Sequence, residues 1–186
     1  MAIEEVKYDV LKKEGAFEIR KYYDHIVAET YVDSNFKDAG NIAFRILFKY
    51  IDGNNTAKDS IAMTAPVSQQ KSIEKIAMTA PVNMQKLSGS YRITFLMPSK
   101  YTMETIPQPL DEKVIIKKEE GKTIAAYKYS GGWSEKKYEK MKKKLLAIIT
   151  QKNLKVIGEP VFARYNSPFM PWIFRRNEVL IEIEYN

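Results

Sequence analysis

The sequence has no cysteine and a single histidine, His25, among its 186 residues. Without cysteine the chain forms no disulfide, binds no metal through thiolates and has no cysteine nucleophile. One histidine excludes a multi-histidine metal site, and the Gly-x-Ser-x-Gly segment that would supply a Ser-His-Asp triad with its serine is absent. The glycine patterns of dinucleotide-binding and phosphate-binding loops are absent as well. These absences exclude most familiar catalytic sites, so we expect a protein that is not an enzyme.

The sequence also lacks a long hydrophobic run. No stretch approaches the roughly 18–20 apolar residues that span a bilayer. Residues 1–6 carry two glutamates where a secretory signal has basic residues, and no apolar run follows them. We therefore expect a cytoplasmic protein with no membrane-spanning segment.

Positive charge is in excess, with 30 Lys and Arg residues against 23 Asp and Glu and a net charge of +7. Such a charge favours anionic partners, which include nucleic acids, acidic lipids and small dianionic ligands. The lysines are scattered along the chain, as is typical of a solvated surface. Because the sequence contains no recognised nucleic-acid-binding motif, we expect no DNA partner. The sequence identifies no protein partner.

The most distinctive feature is a segment that occurs twice, Ile-Ala-Met-Thr-Ala-Pro-Val at residues 61–67 and 76–82. In an extended chain successive side chains point to opposite faces. We therefore predict two similar strand segments in which Met63 and Met78 are core side chains. The proline of each copy cannot donate a ladder hydrogen bond, so it is predicted to mark a strand end, an edge or a bulge.

Hydrophobic spacing predicts two helices and many strands. The first helix follows the capping candidates at residues 33–35 and ends at Asp52-Gly53, and the second begins after Ser134. The predicted strands cover residues 6–13, 16–22, 26–32, 91–97, 113–117, 123–129, 161–165 and 178–185. Because no regular βαβ alternation is present, the pattern favours an α+β fold with a strongly curved antiparallel sheet and two packed helices. No low-complexity linker divides the chain, so residues 1–186 are predicted to form a single domain.

The sequence resembles the SOUL haem-binding protein family in five stretches that occur in family order and cover nearly the whole chain. These are Tyr8 with residues 18–22 (Glu-Ile-Arg-Lys-Tyr), residues 49–54 (Lys-Tyr-Ile-Asp-Gly-Asn), the two repeat copies, residues 97–99 (Met-Pro-Ser) with 107–109 (Pro-Gln-Pro), and residues 164–168 (Arg-Tyr-Asn-Ser-Pro) with 175–179 (Arg-Arg-Asn-Glu-Val). The resemblance implies a distorted antiparallel β-barrel-like sheet flanked by two long helices. It also implies two pseudo-symmetric halves, as in the effector domains of bacterial multidrug regulators.

The resemblance further implies non-covalent binding of haem or another tetrapyrrole, by a carrier or buffer that does not need the cofactor to fold. Haem is a flat apolar disc with two carboxylates, which suits an apolar groove with a basic rim. One alternative is a general small-molecule sensor or sequestering domain for planar aromatic ligands, with no preference for haem. A second alternative is an enzyme that hydrolyses its substrate with a glutamate and a tyrosine, although the sequence identifies no such pair. A third is nucleic-acid binding by the lysines of the second helix.

The ligand site is predicted on the first helix and on the aromatic loop near the C-terminus. Lys49 stands where a lysine precedes the tyrosine of the family motif, and Arg45 lies one turn earlier on the same face. The basic position at residue 41 in relatives is Asn41 here, so one contact is expected to be missing. The loop residues predicted to close over a flat ligand are Phe169, Met170, Trp172 and Phe174.

His25 is a candidate axial ligand, because imidazole is the commonest protein ligand of haem iron. In some animal members a histidine follows the arginine of the Glu-x-Arg-His-Tyr motif, and that position is Lys21 here. This departure argues against histidine ligation, and a lone histidine is more often an ordinary surface residue. The Arg-Arg-Asn-Glu segment at residues 175–178 is interpreted as a source of structural hydrogen bonds from loop to sheet, not as a catalytic or phosphate site.

Overall fold

The structure is a computed structural model that describes residues 3–57, 73–167 and 169–185. Within these residues the chain forms two α-helices, α1 (Phe36–Ile51) and α2 (Glu135–Gln151), and one 3-10 turn (Trp172–Phe174). The strands are β1 (Glu4–Glu5), β2 (Tyr8–Glu14), β3 (Phe17–Tyr22), β4 (His25–Val32), β5 (Asn55–Thr56), β6 (Thr79–Ala80), β7 (Val82–Lys86), β8 (Tyr91–Leu96), β9 (Gln108–Pro109), β10 (Ile115–Glu119), β11 (Thr123–Ser130), β12 (Lys155–Val156), β13 (Val161–Arg164) and β14 (Arg176–Glu184).

Most strands belong to one curled antiparallel sheet. Its order is β10-β4-β8-β7-β13-β14-β11-β3-β2, and β12 pairs with the end of β14. Two small pairs lie outside this sheet: β1 runs parallel to β6, and β5 runs antiparallel to β9. The predicted α+β class and curved antiparallel sheet are confirmed.

The sheet consists of two halves with the same connectivity. One half contains β3, β4, α1, β7 and β8, and the other contains β10, β11, α2, β13 and β14. In each half the helix joins the second strand to the third. The halves meet where β7 pairs with β13, and the first strand of each half lies beside the second strand of the other half. The pseudo-two-fold architecture implied by the family resemblance is therefore present.

Helix α1 begins and ends where local chemistry predicts. The Asn35 side chain accepts a hydrogen bond from the backbone N–H of Asp38 at 3.0 Å, which satisfies one of the free N–H groups of the first turn. The chain leaves the helix through Gly53, whose φ of +118° favours glycine. The face of α1 that packs on the sheet is formed by Ala39, Ala43, Leu47, Tyr50 and Ile51, all buried.

Helix α2 is amphipathic in the way its spacing predicts. Ser134 caps it by accepting from the N–H of Lys137 at 3.3 Å. Its buried positions are Tyr138, Met141, Leu145 and Ile149, whereas Lys136, Lys140, Lys143 and Lys144 are exposed. Neither α1 nor α2, nor the 3-10 turn in the described ranges, is long and apolar enough to cross a membrane.

Both helices pack on one face of the sheet, where alternate strand residues form the main core. An aromatic group joins the two helices to this core. The ring of Phe36, at the start of α1, stacks on Phe162 at 5.8 Å and on Tyr138 of α2 at 5.9 Å. Strand residues that alternate with the core point to the other face, and several of these are polar: Arg20, Glu29, Thr94 and Glu178.

The second repeat copy is not a single strand. Only Thr79 and Ala80 lie in β6, and Pro81 separates them from β7, as its missing donor predicts. Met78 precedes β6 outside any strand and is 44% exposed, so the prediction that it serves the core is wrong. The alternation that assigned it to the core holds only for regular strand backbone. The first copy, with Met63, lies outside the described residues.

Candidate functional site

An apolar groove of about 520 Å³ lies between α1, the second repeat copy and the loop that follows β13. Two rings of α1, Phe44 and Phe48, stack at 5.8 Å and form one wall with Met78. Trp133 and Phe169 contribute further aromatic surface. Pockets for small molecules have volumes of about 300–1,000 Å³ and are mostly apolar, so this groove has the size and the lining of a ligand site.

The apolar wall exists because the hydrophobic stripe of α1 is wider than its contact with the sheet. Phe44 packs against the core through Phe95 at a ring distance of 5.5 Å. Phe48 lies one turn further along the helix and is exposed. The same helix therefore serves the core with one side of its stripe and the groove with the other.

Arg164 places a positive charge in this apolar groove. It follows Phe162 by two residues on β13, so both side chains are on the helix-packed face. Its guanidinium lies 5.3 Å from the ring centre of Trp133 and 5.6 Å from that of Phe162. Burial lowers the pKa of Arg164 to about 10, against a smaller opposite effect of Tyr129, and the group stays charged at neutral pH.

Arg164 has no ion-pair partner among the described residues, and its Nε atom is buried without a hydrogen-bond partner. Two neighbouring donors, Trp133 Nε1 and Tyr129 Oη, are also buried without a partner. Such groups carry a desolvation cost until a partner meets them.

A glycine of α1 makes room for this arginine. A Cβ atom added to Gly40 would lie 3.0 Å from Nη2 of Arg164, closer than side chains normally approach. Glycine in a helix interior costs roughly 1 kcal/mol relative to alanine. The helix carries this cost at Gly40, where a side chain would come too close to the guanidinium of Arg164.

The structure brings together two of the residues predicted for the ligand site. Arg45 and Phe169 both line the groove, and Phe169 is 94% exposed at its mouth. Lys49 is exposed one turn beyond Arg45 and does not line the groove. The other predicted loop residues, Met170, Trp172 and Phe174, are in the same loop but do not line it either.

Asn41, where the family resemblance implies a basic residue, does line the groove. The interpretation of the sequence missed Arg164, Phe44, Phe48, Met78 and Trp133 as lining residues. A signal was present for Arg164: an arginine occupies a core-facing position of a strand whose preceding core-facing residue is Phe162. Whether such an arginine lines a groove depends on which helix residue lies opposite it. The tertiary fold sets that residue, and the sequence pattern does not.

His25 does not reach the groove. Its Nδ1 lies 2.8 Å from the carbonyl oxygen of Tyr23, and its Nε2 lies 3.8 Å from Glu119. It lines a separate cavity of about 120 Å³ on the other face of the sheet, beside Arg92 and Glu182. A ligand in the groove therefore has no contact with this imidazole.

The Arg-Arg-Asn-Glu segment builds a buried ion cluster. The carboxylate of Glu178 accepts from both terminal nitrogens of Arg20 at 2.6 and 3.0 Å, from Tyr165 Oη at 2.8 Å and from Arg176 Nε at 3.0 Å. Asn177 Nδ2 donates to the carbonyl of Gly131 at 2.9 Å. These bonds connect strands and loops, in agreement with the structural role predicted for the segment.

Comparison with known proteins agrees with the sequence motifs. The model of the family described as SOUL heme-binding protein matches residues 3–182. The chain is 28% identical over 180 residues to human Heme-binding protein 2, and the match covers 91% of this chain and 83% of that protein.

Solved structures with the same architecture are much more distant in sequence. The C-terminal domain of EcmrR is similar with a TM-score of 0.66 and 7% identity, over 96% of this chain and 99% of that one. A hydrolase from Listeria innocua is similar with a TM-score of 0.57 and 9% identity, over 94% of each chain. At these identities the likeness shows the fold alone, and it agrees with the predicted α+β architecture.

Proposed function

This chain belongs to the SOUL haem-binding protein family, and we propose on that premise that it binds haem or another tetrapyrrole without a covalent bond. The proposed site is the groove beside α1. The observation that carries the proposal is the combination of apolar, aromatic walls with two arginines, Arg45 and Arg164, in one groove. We further propose that residues 1–186 act as one domain, without catalysis, as a cytoplasmic carrier or buffer.

The lining residues fit a flat ligand of this kind. The stacked pair Phe44 and Phe48 offers apolar surface on one side, and Phe169 projects at the mouth. Arg45 at the rim and Arg164 within the groove are donors of the type that binds carboxylates in pairs of hydrogen bonds. Burial of the apolar disc would supply most of the affinity, at roughly 25 cal/mol per Å² of apolar surface.

Iron chemistry would come from bound haem itself, and the groove is poorly equipped to direct it. Met78 is the lining residue with a soft side chain, and no histidine is among the described lining residues. This composition supports a second candidate function, the binding of assorted planar aromatic ligands without preference for a metal. Parallel titrations with haemin and with metal-free protoporphyrin separate the two candidates. Haem-specific binding predicts a higher affinity for haemin, and binding of planar aromatic ligands in general predicts similar affinities for both.

Blocking the groove tests the proposal directly. Asn41 lines the groove from an exposed position on α1, so Asn41→Trp fills it without disturbing the core. We expect haemin affinity, followed by the change in Soret absorption, to fall on the order of tenfold or more, or about 1.4 kcal/mol. Ile42→Trp is the matched control, because Ile42 is an exposed neighbour that does not line the groove.

The control should bind haemin within about twofold of the parent protein, as should His25→Ala, whose imidazole lies on the other face of the sheet. Equal effects of the two tryptophan substitutions would place the site elsewhere. Haemin spectra indistinguishable from those obtained with an unrelated basic protein would refute specific binding altogether.

A further inference from the structure

We infer that Arg164 is the anion anchor of the groove, where it receives a free carboxylate that the ligand carries to the inner end of the site. The inference rests on the proposed function for the general nature of the ligand and adds a rule of selection. Apolar ligands with a free carboxylate bind, and the same molecules with that carboxylate esterified bind much more weakly.

The first argument is a contrast among the arginines of this protein. Arg20 pairs with Glu178, and Arg92 pairs with Glu29 and Glu119. Arg164 has no carboxylate partner in the described part of the chain, although its surroundings are apolar. Removing a charge from water is costly unless a counter-charge or hydrogen bonds repay it. Because the other arginines of the sheet are paired with carboxylates of the protein, we infer that the partner of Arg164 is a ligand.

The second argument is geometric. The guanidinium of Arg164 lies over the rings of Trp133 and Phe162, which limit its movement, and Gly40 leaves the space beside Nη2 that a side chain would fill. Arginine presents its donors as a rigid planar fork that matches the two oxygens of a carboxylate. Trp133 Nε1, buried without a partner, is a further donor on the groove lining. The groove therefore contains two donors, Arg164 Nε and Trp133 Nε1, that have no hydrogen-bond partner, and no carboxylate is among its described lining residues.

A purely structural role for Arg164 predicts different behaviour. If Arg164 served only to contact the rings of Trp133 and Phe162, removing the guanidinium would destabilise the ligand-free protein. If the charge is instead available for a ligand, Arg164→Gln removes a desolvated cation that has no counter-charge among the described residues. The ligand-free protein then melts at the same temperature or a higher one. Thermal unfolding followed by circular dichroism shows whether Arg164→Gln lowers the melting temperature or leaves it equal or higher.

The closing experiment uses two probes, protoporphyrin IX and its dimethyl ester, titrated in the same detergent-containing buffer and followed by porphyrin fluorescence. A hydrogen-bonded charge contact in a buried site corresponds to roughly 10- to 150-fold in affinity. The parent protein should therefore prefer the free acid by that factor. Arg164→Gln should lose the preference by weakening the acid and leaving the ester unchanged. Lys37→Gln, which removes an exposed cation of α1 that does not line the groove, should change the preference by less than about twofold.

Each result has one meaning. Equal affinity of the parent protein for acid and ester overturns the inference but leaves the proposed function in place, and so does an equal loss of both probes in Arg164→Gln. Failure of both probes to bind the parent protein refutes the proposed function and the inference with it. Should Arg164→Gln not fold, the structural role is supported, and Arg164→Lys keeps the charge while removing the fork. The anchor role then predicts a reduced but measurable preference for the acid.

Discussion

The buried cluster around Glu178 allows a quantitative test of the structural interpretation of the Arg-Arg-Asn-Glu segment. Glu178 is fully buried, and Arg20, which pairs with it through two hydrogen bonds, is 2% exposed. The substitution Glu178→Gln keeps the shape and one acceptor oxygen but removes the negative charge. Arg20 and Arg176 then remain close together without their shared counter-charge. Breaking a buried ion pair in this way costs about 3–5 kcal/mol of stability.

The assay is equilibrium unfolding by urea, with a thermal melt as a second measurement. For a protein of this size, 1 kcal/mol corresponds to about 2–4 °C in melting temperature, so the expected decrease is roughly 6–20 °C. Glu182→Gln is the matched control on the same strand. Its carboxylate pairs with Lys122 at 3.2 Å near the surface, and such pairs contribute about 0–1 kcal/mol. A loss below about 1 kcal/mol for Glu178→Gln would show that the cluster is not structural and would refute the reasoning.

The pH dependence of folding stability is a second, independent test of the prediction for Glu178. Burial raises the pKa of Glu178, but the hydrogen bonds and charge of Arg20, with help from Arg176 and Tyr165, outweigh it and lower the pKa overall. A lowered pKa in the folded state means stability that is present above the unfolded pKa and lost as the pH falls through the folded pKa. The stability difference between the parent protein and Glu178→Gln should therefore be full at neutral pH and shrink at acid pH.

Three further substitutions test the placement of side chains. Phe169→Ala should weaken haemin binding about three- to tenfold in a Soret titration, because Phe169 lines the groove, whereas Trp172→Ala should stay within about twofold. Arg45→Glu should weaken haemin more than Lys49→Glu, since Arg45 alone of the two lines the groove, and the reverse order would favour the family-based assignment of Lys49. Asn35→Ala should lower the free energy of unfolding by about 1 kcal/mol through loss of the α1 cap, and no change in a urea titration would contradict the capping bond.

The structural features that depend on residues close together in the chain could be predicted from the sequence. Helix α1 was expected between Asn35 and Gly53, and it covers Phe36–Ile51, because its cap, its apolar spacing and its terminal glycine are all local. The core-facing strands were predictable for the same reason, since alternation on a half-buried strand is itself a local pattern. The family motifs added the pseudo-two-fold connectivity, which no local pattern contains.

The candidate site was predictable only in part, because it is assembled from distant segments. Arg45 was found through a helix motif, and Phe169 through the aromatic character of its loop. Met78 was misplaced because alternation was extended to a segment that is not a strand. Trp172 and Phe174 do not line the groove, because they belong to a short 3-10 turn whose position no sequence pattern predicts.

The unpaired arginine and the ion cluster are best understood together, because they occupy consecutive positions of the chain. Arg164 is on the helix-packed side and has no counter-charge among the described residues, whereas the hydroxyl of Tyr165 donates to Glu178 within the cluster. A desolvated cation without a counter-charge costs free energy in the ligand-free protein. Strong pairing one residue away, through Glu178 and Arg176, fixes the backbone that carries Arg164. Rigid support of this kind lets a binding group keep its orientation before the ligand arrives. The cluster should therefore support ligand binding through the backbone of β13, and its loss should weaken the preference of the groove for a carboxylate and also destabilise the fold.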